Sequence, residues 1–146
     1  MKKIAALLID GENVNPSELL GVIQNLQSRF SLPIRRLYAD FSQPSRKVWK
    51  HHCSTLGLME CQASINVAGK NTVDIALTVD ACDLCFTKEI ENIVLVASDS
   101  DYTFLAKRLR EKGVYVIGVV RSDCHVSLVN ACSETIKTKR KTKTKT

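Results

Sequence analysis

No apolar run in this sequence approaches the ~20 residues that a helix needs to cross a bilayer. Lys2 and Lys3 precede only a short apolar stretch, which reads as a strand rather than a cleaved leader. A membrane partner is therefore excluded, and a soluble, cytoplasmic protein is expected. The chain also lacks a second Cys-x-x-Cys pair to match Cys82 and Cys85. Its other cysteines, Cys53, Cys61, Cys124 and Cys132, form no compact framework, and a zinc site would have to recruit His51, His52 or Cys53 from another element. Reduced, mostly buried thiols are the expected state. The excess of basic over acidic residues sits in one segment. Residues 137–146 carry Lys137, Lys139, Arg140, Lys141, Lys143 and Lys145 with no acid. These six account for the whole net charge of +6, leaving fifteen residues of each sign elsewhere. A Lys/Thr alternation has nothing to bury and reads as a disordered tail. It either solubilises the chain or holds phosphate backbones without sequence preference. Internal repeats and linkers are absent too, so residues 1–136 read as one domain.

What is present is a regular alternation of apolar strands and amphipathic helices. A chain of 146 residues that is 45% hydrophobic can bury a substantial core. Strands are expected at residues 4–9, 34–41, 58–63, 93–97 and 114–120, as continuous apolar runs covered on both faces. Asn15-Pro16-Ser17-Glu18 carries the capping signals of a helix start, and Leu19, Leu20, Ile23 and Leu26 supply its stripe. Further helices are expected at 46–56, 71–86, 102–112 and 124–132. Gly57 and Gly113 stand where helices close, and residues 67–70 read as a turn. The order implies right-handed crossovers and a three-layer α-β-α domain, Rossmann-like, with a mainly parallel sheet of about five strands.

In such a sheet the carboxyl ends of the strands line the ligand crevice. Asp10-Gly11-Glu12-Asn13 follows the first strand, and Ser98-Asp99-Ser100-Asp101-Tyr102 follows the fourth. Asp74 opens the longest helix, just after Lys70. Each acid alone could be a helix cap or dipole partner. Together, Asp10, Asp74, Asp99 and Asp101 come from three segments that this topology delivers to one rim. Hard oxygen donors of this kind suit Mg²⁺ or Mn²⁺. Asn13 can return an amide to the same pocket. Lys70 is placed to contact phosphate or to pair with Asp74. Ser98, Ser100, Arg121 and Ser122 are further candidate substrate contacts, although Arg121 and Ser122 read equally well as a solvated loop. Asp80 interrupts the apolar stripe of its helix, about 240° around from Asp74, and is expected to pair with a base or to support the site from behind. Trp49 reads as core more than as a stacking platform, on a helix where Lys47 and Lys50 offer phosphate contacts.

Three motifs, Ile9-Asp10-Gly11-Glu12-Asn13, Gly69-Lys70-Asn71-Thr72-Val73-Asp74 and Ser98-Asp99-Ser100-Asp101-Tyr102, resemble in order and spacing the signatures of the NYN domain, in the LabA-like, DUF88 branch of PIN-like nucleases. The resemblance covers essentially residues 1–136. It implies a PIN-like fold and metal-dependent hydrolysis of RNA phosphodiesters. Carried over by position, Asp10, Asp74, Asp99 and Asp101 would form the Mg²⁺ or Mn²⁺ site, and Asn13 would orient water or substrate. The chain departs from the family where Ala97-Ser98-Asp99-Ser100-Asp101-Tyr102 replaces Ser-Gly-Asp-Ser-Asp-Phe. It departs again where Ala131-Cys132-Ser133-Glu134 replaces a small residue followed by Asp.

His51, His52 and His125 lie outside the motifs, so proton transfer falls to a metal-activated water or a carboxylate. RNA is the expected substrate, with DNA and a homo-oligomeric assembly left open. Two rival readings stand beside this one. An RNA-binding or regulatory module could keep the fold with little turnover. A phosphatase or phosphotransfer domain could share the topology, although Gly-Glu-Asn after Asp10 lacks the second Asp that haloacid-dehalogenase-like enzymes carry two residues on.

Overall fold

The computed structural model describes residues 1–12, 14–64 and 72–139. Asn13, Lys70, the turn expected at 67–70, the start of the helix expected from Asn71 and most of the basic segment lie outside the described residues.

Strands β1 (Lys3–Asp10), β2 (Phe30–Ala39), β3 (Met59–Gln62), β4 (Asn92–Val96), β5 (Tyr115–Arg121) and β6 (Glu134–Thr138) form one sheet in the order β3-β2-β1-β4-β5-β6. Every pairing is parallel. The helices are α1 (Leu19–Gln27), α2 (Trp49–Leu56), α3 (Thr72–Cys82), α4 (Thr103–Lys112) and α5 (Val126–Ala131). Alternation along the strands sorts the core into two layers. On β1, Ala6 and Leu8 pack with Val73 and Leu77 of α3 and Leu105 and Leu109 of α4. Ala5, Leu7 and Ile9 pack on the other face with Leu19, Ile23 and Leu26 of α1 and Trp49 of α2. This two-sided burial is why the inner strands read as unbroken apolar runs.

The three-layer α/β domain expected from sequence is present. Its sheet differs in having six strands rather than about five, all of them parallel. The added strand, β6, pairs with β5 from Ile117↔Glu134 to Arg121↔Thr138. Glu-Thr-Ile-Lys-Thr is polar and sits half-buried at a sheet edge, so it carries none of the apolar density that marks the inner strands. Lys137 and Thr138, the first two residues of the segment read as tail, belong to it. Gly118 makes room for the chain leading into β6: a Cβ there would lie 2.6 Å from Cys132 Sγ. The last helix is shorter than the expected 124–132, because His125 caps it, with Nδ1 accepting the Ser127 N–H at 3.0 Å. The expected 71–86 helix ends as α3 at Cys82 and continues as one wider π-turn, Asp83–Thr87. Asn15 caps the short turn before α1 as anticipated, whereas Glu18 accepts the Lys139 N–H at 3.3 Å instead of closing a capping box.

Candidate metal centre

The strand order reverses between β1 and β4, which are hydrogen-bonded neighbours with Ile9 opposite Val96. The crevice outside this switch point is where open α/β sheets take ligands, and both acidic motifs open onto it. Asp10 is the last residue of β1 and shares the face of Ala6 and Leu8, so its carboxylate turns toward α3 and α4. The strand end beneath it is firmly held. Gly11 donates its N–H to Tyr38 O at 2.8 Å, Trp49 Nε1–H donates to Gly11 O at 3.2 Å, and Arg46 pairs with Glu12. At Gly11 a Cβ would meet Tyr38 O at 3.0 Å and Leu37 Cδ1 at 3.0 Å, so glycine permits this close approach to β2.

Beyond β4 the chain makes a short 3₁₀ turn, Ser100–Tyr102, before α4. The cap of this turn is Asp99, whose Oδ1 accepts the Asp101 N–H at 2.9 Å. Asp101 stands exposed at the rim. With Asp74 from the first turn of α3, these residues bring three carboxylates together: one oxygen from each of Asp74, Asp99 and Asp101 lies within 4.8 Å of the others. Asp10 is outside this group of three. It is 0% exposed and sits behind it, with Oδ1 accepting the Glu12 N–H at 2.9 Å and Oδ2 accepting the Tyr102 hydroxyl at 3.0 Å. The same hydroxyl lies 3.3 Å from Asp74 Oδ1, so Tyr102 bridges the buried acid to the rim acids.

Burial pushes the Asp10 carboxyl above its ordinary range; the Glu12 N–H and Tyr102 hydroxyl oppose this, and the charges of Glu12 and Asp99 add to it. Asp74 is pushed up to about 6, first by burial and then by the charges of Asp10 and Asp99. Burial, followed by the neighbouring carboxylates, raises Tyr102 as well, so it remains a proton donor. A cluster of like charges that raises its own proton affinity is one that a cation would relieve. The donor set is all oxygen. Three carboxylates that can each offer an oxygen within 4.8 Å of the others suit a hard divalent cation.

The other candidate residues divide by sheet face. Ser98 has the parity of Val94 and Val96 and faces α1, away from the acids; its Oγ accepts the Arg121 N–H at 2.9 Å. Arg121 shares that side, with Nε donating to Asp123 at 3.2 Å. Both line a cavity of about 740 Å³ with Glu12, Arg46 and Lys139. Ser100 and Ser122 are exposed. Asp80 pairs with Arg36 at 3.3 Å and accepts the Tyr38 hydroxyl at 2.7 Å, the basic partner expected of it. Trp49 is 1% exposed and belongs to the core. All six cysteines are unpaired thiols. Sequence reasoning missed Tyr102, which it read only as a mild replacement for Phe. The available signal was chemical: a buried tyrosine needs a partner for its hydroxyl, and the acidic motifs offered it.

Residues 4–139 match the NYN domain family, and the chain belongs to it. That family is part of the PIN-like nuclease superfamily, whose members generally hydrolyse nucleic acid with divalent metals. A comparison with curated proteins returned no match. Among solved structures, a protein of unknown function from Vibrio parahaemolyticus superposes with a TM-score of 0.74 at 16% identity, covering 93% of each chain, and shares the fold. The WlbA dehydrogenase from Bordetella pertussis (13% identity, 90% of this chain, 34% of that one) and an oxidoreductase from Sinorhizobium meliloti (15%, 94% and 37%) reach a TM-score of only 0.46. Similarity at that level carries no argument about function.

Proposed function

We propose that this chain is a Mg²⁺- or Mn²⁺-dependent ribonuclease of the LabA-like, DUF88 branch. The observation that supports this most is the meeting of Asp74, Asp99 and Asp101 within 4.8 Å at the switch point of a PIN-like sheet. In this reading those three carboxylates hold the metal. The bound ion supplies Lewis acidity, lowering the pKa of a water and neutralising charge on the scissile phosphate. Asp10 stands behind as the fourth acid of the site. Bonds from the Glu12 N–H and the Tyr102 hydroxyl hold it in place, and through that hydroxyl it positions Asp74 at the rim. Asn13 and Lys70 contribute from the adjoining motifs, Asn13 toward water or substrate and Lys70 toward phosphate. Ser98, Ser100, Arg121 and Ser122 contact RNA flanking the cut, with Ser98 and Arg121 reaching it from the α1 side. The basic segment after the domain adds phosphate affinity without sequence preference. No helix among the described residues is long and apolar enough to cross a membrane. A cytoplasmic setting keeps the six thiols reduced.

The test compares cleavage of mixed RNA in Mn²⁺ by the wild type and Asp99→Asn, with RNA binding measured in parallel. Cleavage by the wild type that Asp99→Asn loses supports the reading. Identical background cleavage with retained binding overturns it and leaves an RNA-binding module. Activity on small phosphate esters without activity on RNA overturns it in favour of a phosphatase.

A further inference from the structure

Phe104 gives little of its ring to the core. It is 73% exposed, more than any other aromatic residue among those described, while α4 buries Leu105, Ala106 and Leu109 on its other side. Phenylalanine is also a poorer helix former than Leu, Lys or Glu, so helix propensity does not account for it. Its position is informative. Side chains three and four apart on a helix are neighbours, with Cβ atoms about 5–6 Å apart. Phe104 therefore shares one strip of surface with Asp101 on its amino-terminal side and Arg108 on its carboxyl-terminal side. Helical side chains lean toward the amino terminus, here toward the carboxylate rim. Arg108 meets Glu111 at 3.2 Å as an exposed pair, with side chains 57% and 68% accessible. Such a pair contributes little and exchanges readily for another anion. From the 3₁₀ turn into α4 the order is thus acid, aromatic ring, guanidinium, each about one turn from the next.

We propose that Phe104 is a stacking platform for an unpaired base of single-stranded RNA beside the scissile phosphate, with the next phosphate passing to Arg108. The inference rests on the nuclease reading for the identity of the ligand. It adds a preference for unpaired RNA, because a base held in a duplex offers no free face to the ring. A stacked base also fixes the strand's register against the three carboxylates, which positions the phosphate to be cut.

The experiment measures affinity of a labelled single-stranded oligoribonucleotide by anisotropy in Mn²⁺, using the full chain carrying Asp99→Asn to suppress turnover. Phe104→Ala should raise Kd roughly 5- to 150-fold, the range of one lost base stack. Phe104→Trp should keep the affinity, and its exposed indole should be quenched by the RNA. An oligonucleotide with abasic positions should bind the Phe and Ala forms alike. In the turnover-competent chain, Phe104→Ala should raise KM far more than it lowers kcat. Equal Kd for the Phe and Ala forms, an equal loss on duplex RNA, or no RNA binding at all overturns the proposal. Wild-type cleavage together with equal Kd values sinks the platform but leaves the nuclease. Phe104-dependent binding without cleavage sinks the nuclease but leaves the platform.

Discussion

Replacing Tyr102 with Phe removes a single oxygen while the ring stays packed, so the effect of that oxygen can be worked out closely. The hydroxyl lies 3.0 Å from Asp10 Oδ2 and 3.3 Å from Asp74 Oδ1. A phenol has one proton, so the shorter contact is the hydrogen bond and the longer one shares it weakly. Tyr102 is 1% exposed and Asp10 is 0% exposed, so water does not take the place of the lost donor. Asp10 then keeps the Glu12 N–H as its partner. A hydrogen bond to a charged group contributes about 1.5–3 kcal/mol, and the bond here is to a fully buried carboxylate. Tyr102→Phe should therefore destabilise the metal-free protein by about 2 kcal/mol at pH 8, read by urea denaturation in EDTA. The size of the effect depends on charge. In an Asp10→Asn background the charged acceptor left to the hydroxyl is Asp74 at 3.3 Å, a longer contact, and the cost of the same substitution should be smaller than in the wild type. The Tyr102 hydroxyl also lowers the pKa of both acids, against the upward push of burial. Without it, protonation of both should move to higher pH, and Mn²⁺ binding should need a more alkaline solution. A Tyr102→Phe protein as stable as the wild type at pH 8, with an unchanged pH dependence of Mn²⁺ binding, would refute the bridging role.

Two further outcomes follow from the same cluster. Asp99→Asn should raise the melting temperature in EDTA, because it removes one of several mutually repelling carboxylates, and should lose the upward shift that Mn²⁺ gives the wild type; differential scanning fluorimetry with and without metal checks both. The pH dependence has a definite sign. Asp74 is raised from 3.8 to about 6 in the folded chain, so between these values the folded state holds more protons than the unfolded one. Metal-free stability should fall as pH rises from about 4 to about 6 and then level off, while metal-dependent cleavage rises through the upper part of that window. Denaturation midpoints across pH decide the first part; a stability that increased over this range would contradict it.

Much of the architecture was legible because parallel strands covered on both faces must be apolar throughout. Ile4 to Ile9 and Ile93 to Ala97 needed no partner to be recognised. β6 was not legible, since an edge strand of Glu, Thr, Ile, Lys and Thr buries little and is held by its ladder to β5. The acidic motifs were legible because strand ends in this topology have one destination. Their subdivision was not. Ser98 and Asp99 are neighbours in sequence, yet Ser98 bonds Arg121 and lines the cavity beside α1, whereas Asp99 meets Asp74 of α3 and Asp101. Asp99 takes the cap because the turn begins at Ser100, two residues before the helix start expected at 102.

The sequence by itself determined that three acidic segments would reach one end of a parallel α/β sheet. The order of strands and helices, together with the handedness of crossovers, leaves few other arrangements. Only the tertiary structure decided how those acids differ. Asp74, Asp99 and Asp101 stand together at the rim, while Asp10 lies buried behind them, tied to Tyr102 across 92 residues of chain. Likewise, nothing in the local pattern of α4 separates a buried tyrosine from an exposed phenylalanine two residues later. The difference comes from packing: the side chain that faces the sheet must satisfy its hydroxyl there, and the one that faces water is left free to meet a ligand.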